Sequence, residues 1–265
     1  MKLGVIGCGK MGRALVEGIL KSGACEADSV LVFDAYLDAA ESMSRDLGVI
    51  QAESNAAVVS GSDTVLLCVK PQGFIEMLSE IGDSENRLLV SIAAGVQIAT
   101  IEEATSSRHR VVRVMPNTPA LVGRGASAFA LGSTATSDDA ELAHRLLESV
   151  GYVCQVEEPD LDAVTALSGS GPAYVFLLIE ALVAAAEEQG LPADISLDLA
   201  SHTVAGAAEL LLQSDESPGQ LRENVTSPNG TTFAALESFR GDNFTEIVSR
   251  AVAAAANRSK ELGNA

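Results

Sequence analysis

The sequence predicts an α/β domain followed by an all-α domain, and three observations carry that expectation. Short β-branched runs alternate with helical patterns over the first ~155 residues, as in a parallel sheet flanked by helices. A Gly-x-Gly-x-x-Gly loop, Gly7-Cys8-Gly9-Lys10-Met11-Gly12, sits where the first strand would hand over to the first helix. Beyond Glu157-Glu158-Pro159-Asp160 no strand pattern remains, only long Ala/Leu-rich helical stretches. The expected domains are therefore residues 1–157 and 158–265.

Taken in order, the strands are Leu3–Ile6, Val30–Phe33, Thr64–Val69, Leu88–Ile92 and Val111–Val114, followed by Ala126–Leu131 and Tyr152–Val156. The helices between them are Lys10–Lys21, Leu37–Leu47, Gly73–Ile81, Ile98–Ala104 and Asp138–Val150, each with an apolar stripe at helical spacing. The second part reads as helices over Leu161–Leu167, Pro172–Gln189, Ser196–Gln213, Thr232–Phe239 and Thr245–Glu261. Pro172 suits a first helical turn and Gly190 a C-terminal cap. Tyr174–Ala186 is apolar almost all round its helix, so a second subunit's helices are expected to cover it.

Composition removes several classes of function. The chain has 265 residues, 47% of them hydrophobic, 4% aromatic and none Trp, so its core rests on Ala, Val, Leu and Ile. A formal charge of −19 argues against a nucleic-acid or anionic-membrane partner. Cys8, Cys25, Cys68 and Cys154 form no C-x-x-C pair, and His109, His144 and His202 have no ligand spacing, so neither a metal site nor a disulfide framework is expected. Glycines interrupt the N-terminal apolar run, which is not a signal peptide, and the stretch from Ala173 to Ala186 is broken by Glu180 and too short to span a bilayer. The expected location is the cytoplasm.

The glycine loop has a physical reading. Gly7 permits the tight turn, Gly9 lets a pyrophosphate approach the backbone, and Gly12 lets strand and helix pack closely, with the helix N-terminus stabilising phosphate charge. Asp34 closes the second strand 22 residues after Gly12, where a carboxylate accepts ribose hydroxyls and repels a 2′-phosphate. The nearest following cation is Arg45. The cofactor is thus NAD(H) or NADP(H), leaning toward NAD(H). A third feature is the turn Ser227-Pro228-Asn229-Gly230-Thr231-Thr232 at the mouth of an apolar helix. It reads either as an ordinary helix cap or as a cradle of free N–H groups for a small carboxylate.

These segments occur together with Cys68-Val69-Lys70-Pro71, Met115-Pro116-Asn117-Thr118-Pro119-Ala120 and Leu167-Ser168-Gly169-Ser170-Gly171-Pro172-Ala173-Tyr174. From residue 3 to residue 240 the chain resembles the Δ1-pyrroline-5-carboxylate reductase family. The resemblance implies a Rossmann domain with a helical dimerisation domain, interlocked dimers often assembled into rings, and nicotinamide-dependent reduction of pyrroline-5-carboxylate to L-proline. By motif it implies that Cys68, Val69, Lys70, Pro71, Ile92, Ala93 and Ala94 line the cofactor site, with Asn55 near the adenosine half and Asn224 reaching from the helical domain. It further implies that the amides of Gly230, Thr231 and Thr232 hold the substrate carboxylate and that the Thr232 hydroxyl meets the ring nitrogen. The chain departs from the family in having Asn229 where Gly is common, and Asp34 where Ser, Asn or Arg is frequent.

Two other functions fit parts of the pattern. A β-hydroxyacid dehydrogenase shares the plan but needs a catalytic Lys on the first helix past the domain boundary, and the lysines here are Lys2, Lys10, Lys21, Lys70 and Lys260. A non-catalytic NAD(H) sensor would need no substrate turn.

Overall fold

The structure, a computed structural model, describes residues 1–81 and 86–263. The last two residues of the expected helical domain, 264–265, lie outside that range. Eight strands form one sheet in the order β3-β2-β1-β4-β5-β6-β7-β8. They are β1 (Leu3–Ile6), β2 (Val30–Phe33), β3 (Ile50–Gln51), β4 (Thr64–Leu67), β5 (Leu88–Ser91), β6 (Arg110–Met115), β7 (Gly125–Leu131) and β8 (Gly151–Gln155). Every residue of β1, β4 and β5 is buried, which is why they read as unbroken apolar runs rather than as alternating ones. β1 pairs in parallel with β2 on one side and with β4 on the other. The chain thus winds outward from β1 in two directions, and a crevice opens at the C-terminal ends of these strands.

The expectation of a parallel sheet holds through β6; β7 then runs antiparallel to it. Residues 116–124, which join the two, contain only a 3-10 turn at Thr118–Val122 and are too few for a helical crossover, so the strand must return beside its predecessor. A proper crossover through α6 (Ser137–Glu148) restores the parallel pairing of β7 with β8. α6 opens with a reciprocal cap between Thr136 and Asp139, and Asp139 also receives Arg110 from β6 at 2.9 Å.

The remaining helices of the sheet domain are α1 (Lys10–Ser22), α2 (Leu37–Leu47), α3 (Asn55–Gly61), α4 (Phe74–Ser79) and α5 (Ile98–Ala104). They make two cores, one on each sheet face. Leu15, Ile19 and Met43 pack with Val5 and Val32 on one side, and Phe74, Met77 and Ile101 with Leu67 and Leu89 on the other. Each fully buried side chain of this size contributes about 2 kcal/mol. α1 and α2 both stop at a left-handed glycine, Gly23 and Gly48, each with φ 73°. The sequence reading did not anticipate β3 or α3; both are too short to show a period.

The helical part comprises α7 (Leu161–Val164), α8 (Gly171–Glu188), α9 (Ala193–Gln213), α10 (Pro218–Asn224), α11 (Thr231–Gly241) and α12 (Phe244–Gly263). α10, also unanticipated, starts at Pro218 under a Ser217 cap. In space the compact units are drawn differently from the change of sequence character at 157/158. One is Met1–Ser170 with Ala255–Ala265, the other Gly171–Ala254. The end of α12 joins the first unit, where the Ser259 hydroxyl donates to Asp162 Oδ1 at 2.6 Å.

Within the first unit, Thr165–Gly169 forms a π turn. A side chain at Gly169 would meet Met115 Cε at 2.4 Å. Asn117 Nδ2 donates to the Ser168 carbonyl at 3.0 Å, while Asn117 Oδ1 accepts the Ala126 N–H at 2.8 Å. The Met-Pro-Asn and Ser-Gly-Ser-Gly motifs are therefore two halves of one contact. In the second unit α8 has no buried residue, and Phe176 and Leu177 are more than half exposed. The helical segments Glu158–Glu188 and Ala193–Gln213 are long and apolar enough to cross a membrane by length and composition, whereas the expectation from sequence concerned only the apolar stretch Ala173–Ala186 inside the first of them. The first segment is longer than that run because helical turns continue on both sides of it, from Glu158 through α7 and the π turn, and on through Glu187 and Glu188.

Candidate active site

The cofactor-type site is a cleft of about 600 Å³ at the C-terminal ends of β1, β2 and β4. Of the residues expected there from sequence, Gly7, Gly9, Asp34, Asn55, Cys68, Val69 and Lys70 line it. The three loop glycines have distinct physical reasons. Gly7 has φ 103°, and a Cβ there would sit 2.6 Å from the Cys68 carbonyl. A Cβ at Gly12 would sit 2.1 Å from the Gly7 carbonyl, so only glycine lets α1 start so close to β1. Gly9, the N-cap of α1, has nothing within 4 Å of such a carbon. The protein itself does not demand glycine at that position, whereas a dinucleotide pyrophosphate approaching the backbone would. The residues present therefore fit such a group.

Both carboxylate oxygens of Asp34 are bound to backbone. Cys8 N–H donates to Oδ2 at 2.6 Å and Tyr36 N–H to Oδ1 at 2.8 Å. The amide of Cys8, a residue of the glycine loop expected to bind the cofactor, is thus engaged by Asp34, and its side chain lies in the core cluster against which Met11 also packs. Burial pushes the Cys8 thiol up to about 12, helped by the Asp34 charge. The Cys68 thiol is raised as well, chiefly by burial and secondarily by Cys8. Lys10 begins α1 and is exposed.

Pro71 opens a 3-10 turn after β4. Ile92, Ala93 and Ala94 follow β5, where Ile92 N–H donates to the Leu67 carbonyl at 3.1 Å and Ala93 is buried; they stand at the end of the adjacent strand and are not among the residues that line the cleft. The cleft also contains Tyr36, Glu76, Met77 and Glu80, which the sequence reading missed. Tyr36, two residues past Asp34, carried a signal as an aromatic at a ribose-binding corner. Glu80 carried none, because its partner Asn55 lies 25 positions earlier in the chain.

The turn at 227–232 belongs to the second unit. Gly230 N–H donates to the Ser227 carbonyl at 3.0 Å, with Pro228 and Asn229 between them and Asn229 at φ 56°. Pro followed by a residue with positive φ is the arrangement of a type II turn. Gly230 itself is extended (φ −80°) and caps α11; a Cβ there would meet Ser227 Oγ at 2.3 Å. Its amide is consequently used inside the turn and does not join the expected cradle. The amides of Thr231, Thr232 and Phe233 precede the first helical bond, Ala234 N–H to the Gly230 carbonyl at 3.1 Å, and have no acceptor in the helix. Thr232 is half-buried. The Asn224 side chain is held locally, donating to Glu216 Oε2 at 2.8 Å and accepting from Gln220 at 3.0 Å.

Residues 158–262 match the family described as pyrroline-5-carboxylate reductase dimerisation, and residues 2–95 match NADP oxidoreductase coenzyme F420-dependent. A pyrroline-5-carboxylate reductase of Glycine max is 42% identical over 98% of this chain and 95% of its own. The chain belongs to the pyrroline-5-carboxylate reductase family.

Among solved structures, the reductase of Coxiella burnetii superimposes with a TM-score of 0.94 at 37% identity, covering 98% of both chains. That of Plasmodium falciparum, with NADP bound, gives 0.87 at 33% identity over 99% of this chain and 98% of its own. The fold is that of this family, a Rossmann-type domain followed by a helical dimerisation domain. A match to a dimerisation family accords with the exposure of α8, where Phe176 and Leu177 stay more than half exposed among the described residues although α9 packs beside the helix.

Proposed function

We propose that this member of the pyrroline-5-carboxylate reductase family reduces the C=N bond of 1-pyrroline-5-carboxylate to give L-proline, the last step of proline biosynthesis. The observation that carries the proposal is kinship over almost the whole chain, spanning both the glycine-loop cleft and the Ser227–Thr232 turn. The nicotinamide cofactor supplies the hydride when bound. Gly7 to Gly12, Asp34, Asn55 and Cys68 to Pro71 would hold it at the cleft, with Ile92 to Ala94 at the end of the adjacent strand and Asn224 added only by the family resemblance, and the carboxylate of Asp34 leans the choice toward NAD(H).

Thr231 and Thr232 bind the substrate carboxylate through their amides, with Gly230 shaping the turn. The Thr232 hydroxyl donates a hydrogen bond to the ring nitrogen, which makes the imine carbon a better hydride acceptor. With no His, Asp or Glu in the turn, Thr232 orients the nitrogen while the iminium form of the substrate or water brings the proton. α8 contains no Lys, which leaves the β-hydroxyacid dehydrogenase reading without its base.

The unit of function is a homodimer through residues 158–265, with rings of dimers as the larger assembly, in the cytoplasm. Apolar α8 and α9 serve the subunit interface rather than a bilayer, as suits helices that carry Glu180, Asp198 and Glu209 along their length. The test is oxidation of NADH and NADPH by purified protein with pyrroline-5-carboxylate and, separately, with the keto partners of 3-hydroxy acids. Turnover only with the cyclic imine is expected; no oxidation of either cofactor refutes the proposal.

A further inference from the structure

The loop from Ala93 to Gln97 leads from β5 to α5. β5 runs parallel to β4, and Ile92 N–H donates to the Leu67 carbonyl, one residue before the cleft-lining Cys68 and Val69. A dinucleotide lies across the point where strand order reverses, one nucleotide on each half of the sheet. Asp34 and Tyr36 follow β2 in the first half, on the adenosine side; the loop after β5 belongs to the second half. Both ends of this loop are fixed. Ser91 Oγ accepts Ala93 N–H at 3.3 Å, and Glu158 Oε1 accepts Ile98 N–H at 2.7 Å while pairing with Arg113 at 2.9 Å. Its middle lies against the last turn of α12. A Cβ on Gly95, which has φ 76°, would stand 3.4 Å from Leu262 Cβ, and one on Gly263 would stand 3.6 Å from the Gly95 carbonyl. That turn is itself tied down by Ser259, which is buried and donates to Asp162 Oδ1 at 2.6 Å. A hydrogen bond to a charged acceptor is a firm tie, and Leu262 is half-exposed and holds less by packing.

We propose that Ser259 is a positioning residue for the nicotinamide half of the cofactor site, acting through the last turn of α12 on the loop around Gly95. Without its hydroxyl, that turn is released from Asp162 and Leu262 no longer presses on Gly95. The loop then gains freedom that a nicotinamide nucleotide must remove on binding, and affinity falls by that ordering cost. A ligand confined to the adenosine half meets no such cost. The proposal rests on reading the cleft as a dinucleotide site.

The test is calorimetric titration of the intact oligomer with NADH, with NADPH and with ADP, which lacks the nicotinamide nucleotide. Ser259→Ala is expected to weaken the better-bound dinucleotide about fivefold while ADP moves by less than about twofold. Asp162→Ala is expected to do the same, and the double variant to be no weaker than either single one, because all three lose one hydrogen bond. Leu262→Ala, at a half-exposed position, carries the test should Ser259→Ala not fold, with the same contrast between dinucleotide and ADP. Arg258→Ala breaks an exposed pair with Glu261 at the end of the same helix and is expected to leave binding within about twofold. Equal shifts of dinucleotide and ADP, an unmoved dinucleotide, additive losses in the double variant, or a matching shift in Arg258→Ala would each overturn the role of Ser259. Failure of the wild-type protein to bind either dinucleotide would instead overturn the cofactor reading of the cleft, and this proposal with it.

Discussion

The carboxylate of Asp34 accepts the backbone N–H of Cys8 at 2.6 Å, joining the end of β2 to the glycine loop after β1. In the proposed cofactor site the residue that would meet the ribose is thus also a brace for the loop that would meet the pyrophosphate. Asp34→Ser should weaken both roles, since a hydrogen bond to a charged group is worth about 1.5–3 kcal/mol. The expected result is a KM for NADH raised about tenfold and a NADPH/NADH preference in kcat/KM shifted about tenfold toward NADPH. Unchanged preference would show that Asp34 only braces the loop.

Gly9 and Gly12 separate ligand binding from folding. Gly12→Ala forces a carbon to within 2.1 Å of the Gly7 carbonyl and should lower stability by about 3 kcal/mol. Gly9→Ala meets nothing in the protein and should change stability by less than about 1 kcal/mol, yet raise the dinucleotide KM about tenfold or more. Thermal unfolding and cofactor titration of the two variants decide the matter.

Asn229 holds φ 56° in the turn before α11. Asn229→Gly should be nearly neutral, within about 1 kcal/mol, whereas Asn229→Val should cost about 1–2 kcal/mol in the left-handed region. If the turn shapes the carboxylate cradle, Asn229→Val also raises the KM for the imine more than that for the cofactor. Equal stability of the Val and Gly variants would contradict the positive φ.

Thr232→Ala should leave the fold intact and lower kcat/KM at least about tenfold, about 1.4 kcal/mol of transition-state stabilisation. Near-wild-type turnover in the folded variant would remove the hydroxyl from the mechanism.

The buried Cys8 thiol makes stability depend on pH at the alkaline end. Its folded value stands at about 12 against an ordinary 9.0, so the folded state holds the proton more tightly than the unfolded chain. The resulting stability is complete below pH 9.0 and is lost as pH rises toward about 12. Unfolding midpoints measured across that window should fall less steeply in Cys8→Ala than in the wild type, and identical slopes would exclude the thiol as a contributor.

Much of this protein was legible in the sequence because its signals are local. Leu3–Ile6, Val30–Phe33 and Leu37–Leu47 are set by apolar runs or stripes that no distant residue needs to complete, and Gly7 and Gly12 announce a turn that only glycine can make. The long helices past residue 157 were visible for the same reason, and an apolar α8 already pointed to a partner subunit.

Only the tertiary structure decided how distant groups divide their hydrogen bonds. It committed the Cys8 amide to Asp34, the Gly230 amide to Ser227 and the Asn55 donor to Glu80. It reversed β7 against β6, and it returned the end of α12 to the first compact unit. A sequence pattern records which residues can make a turn, a strand or a helix. Which acceptor finally takes a given N–H depends on backbones brought together from far along the chain, and one-dimensional spacing carries no measure of that distance.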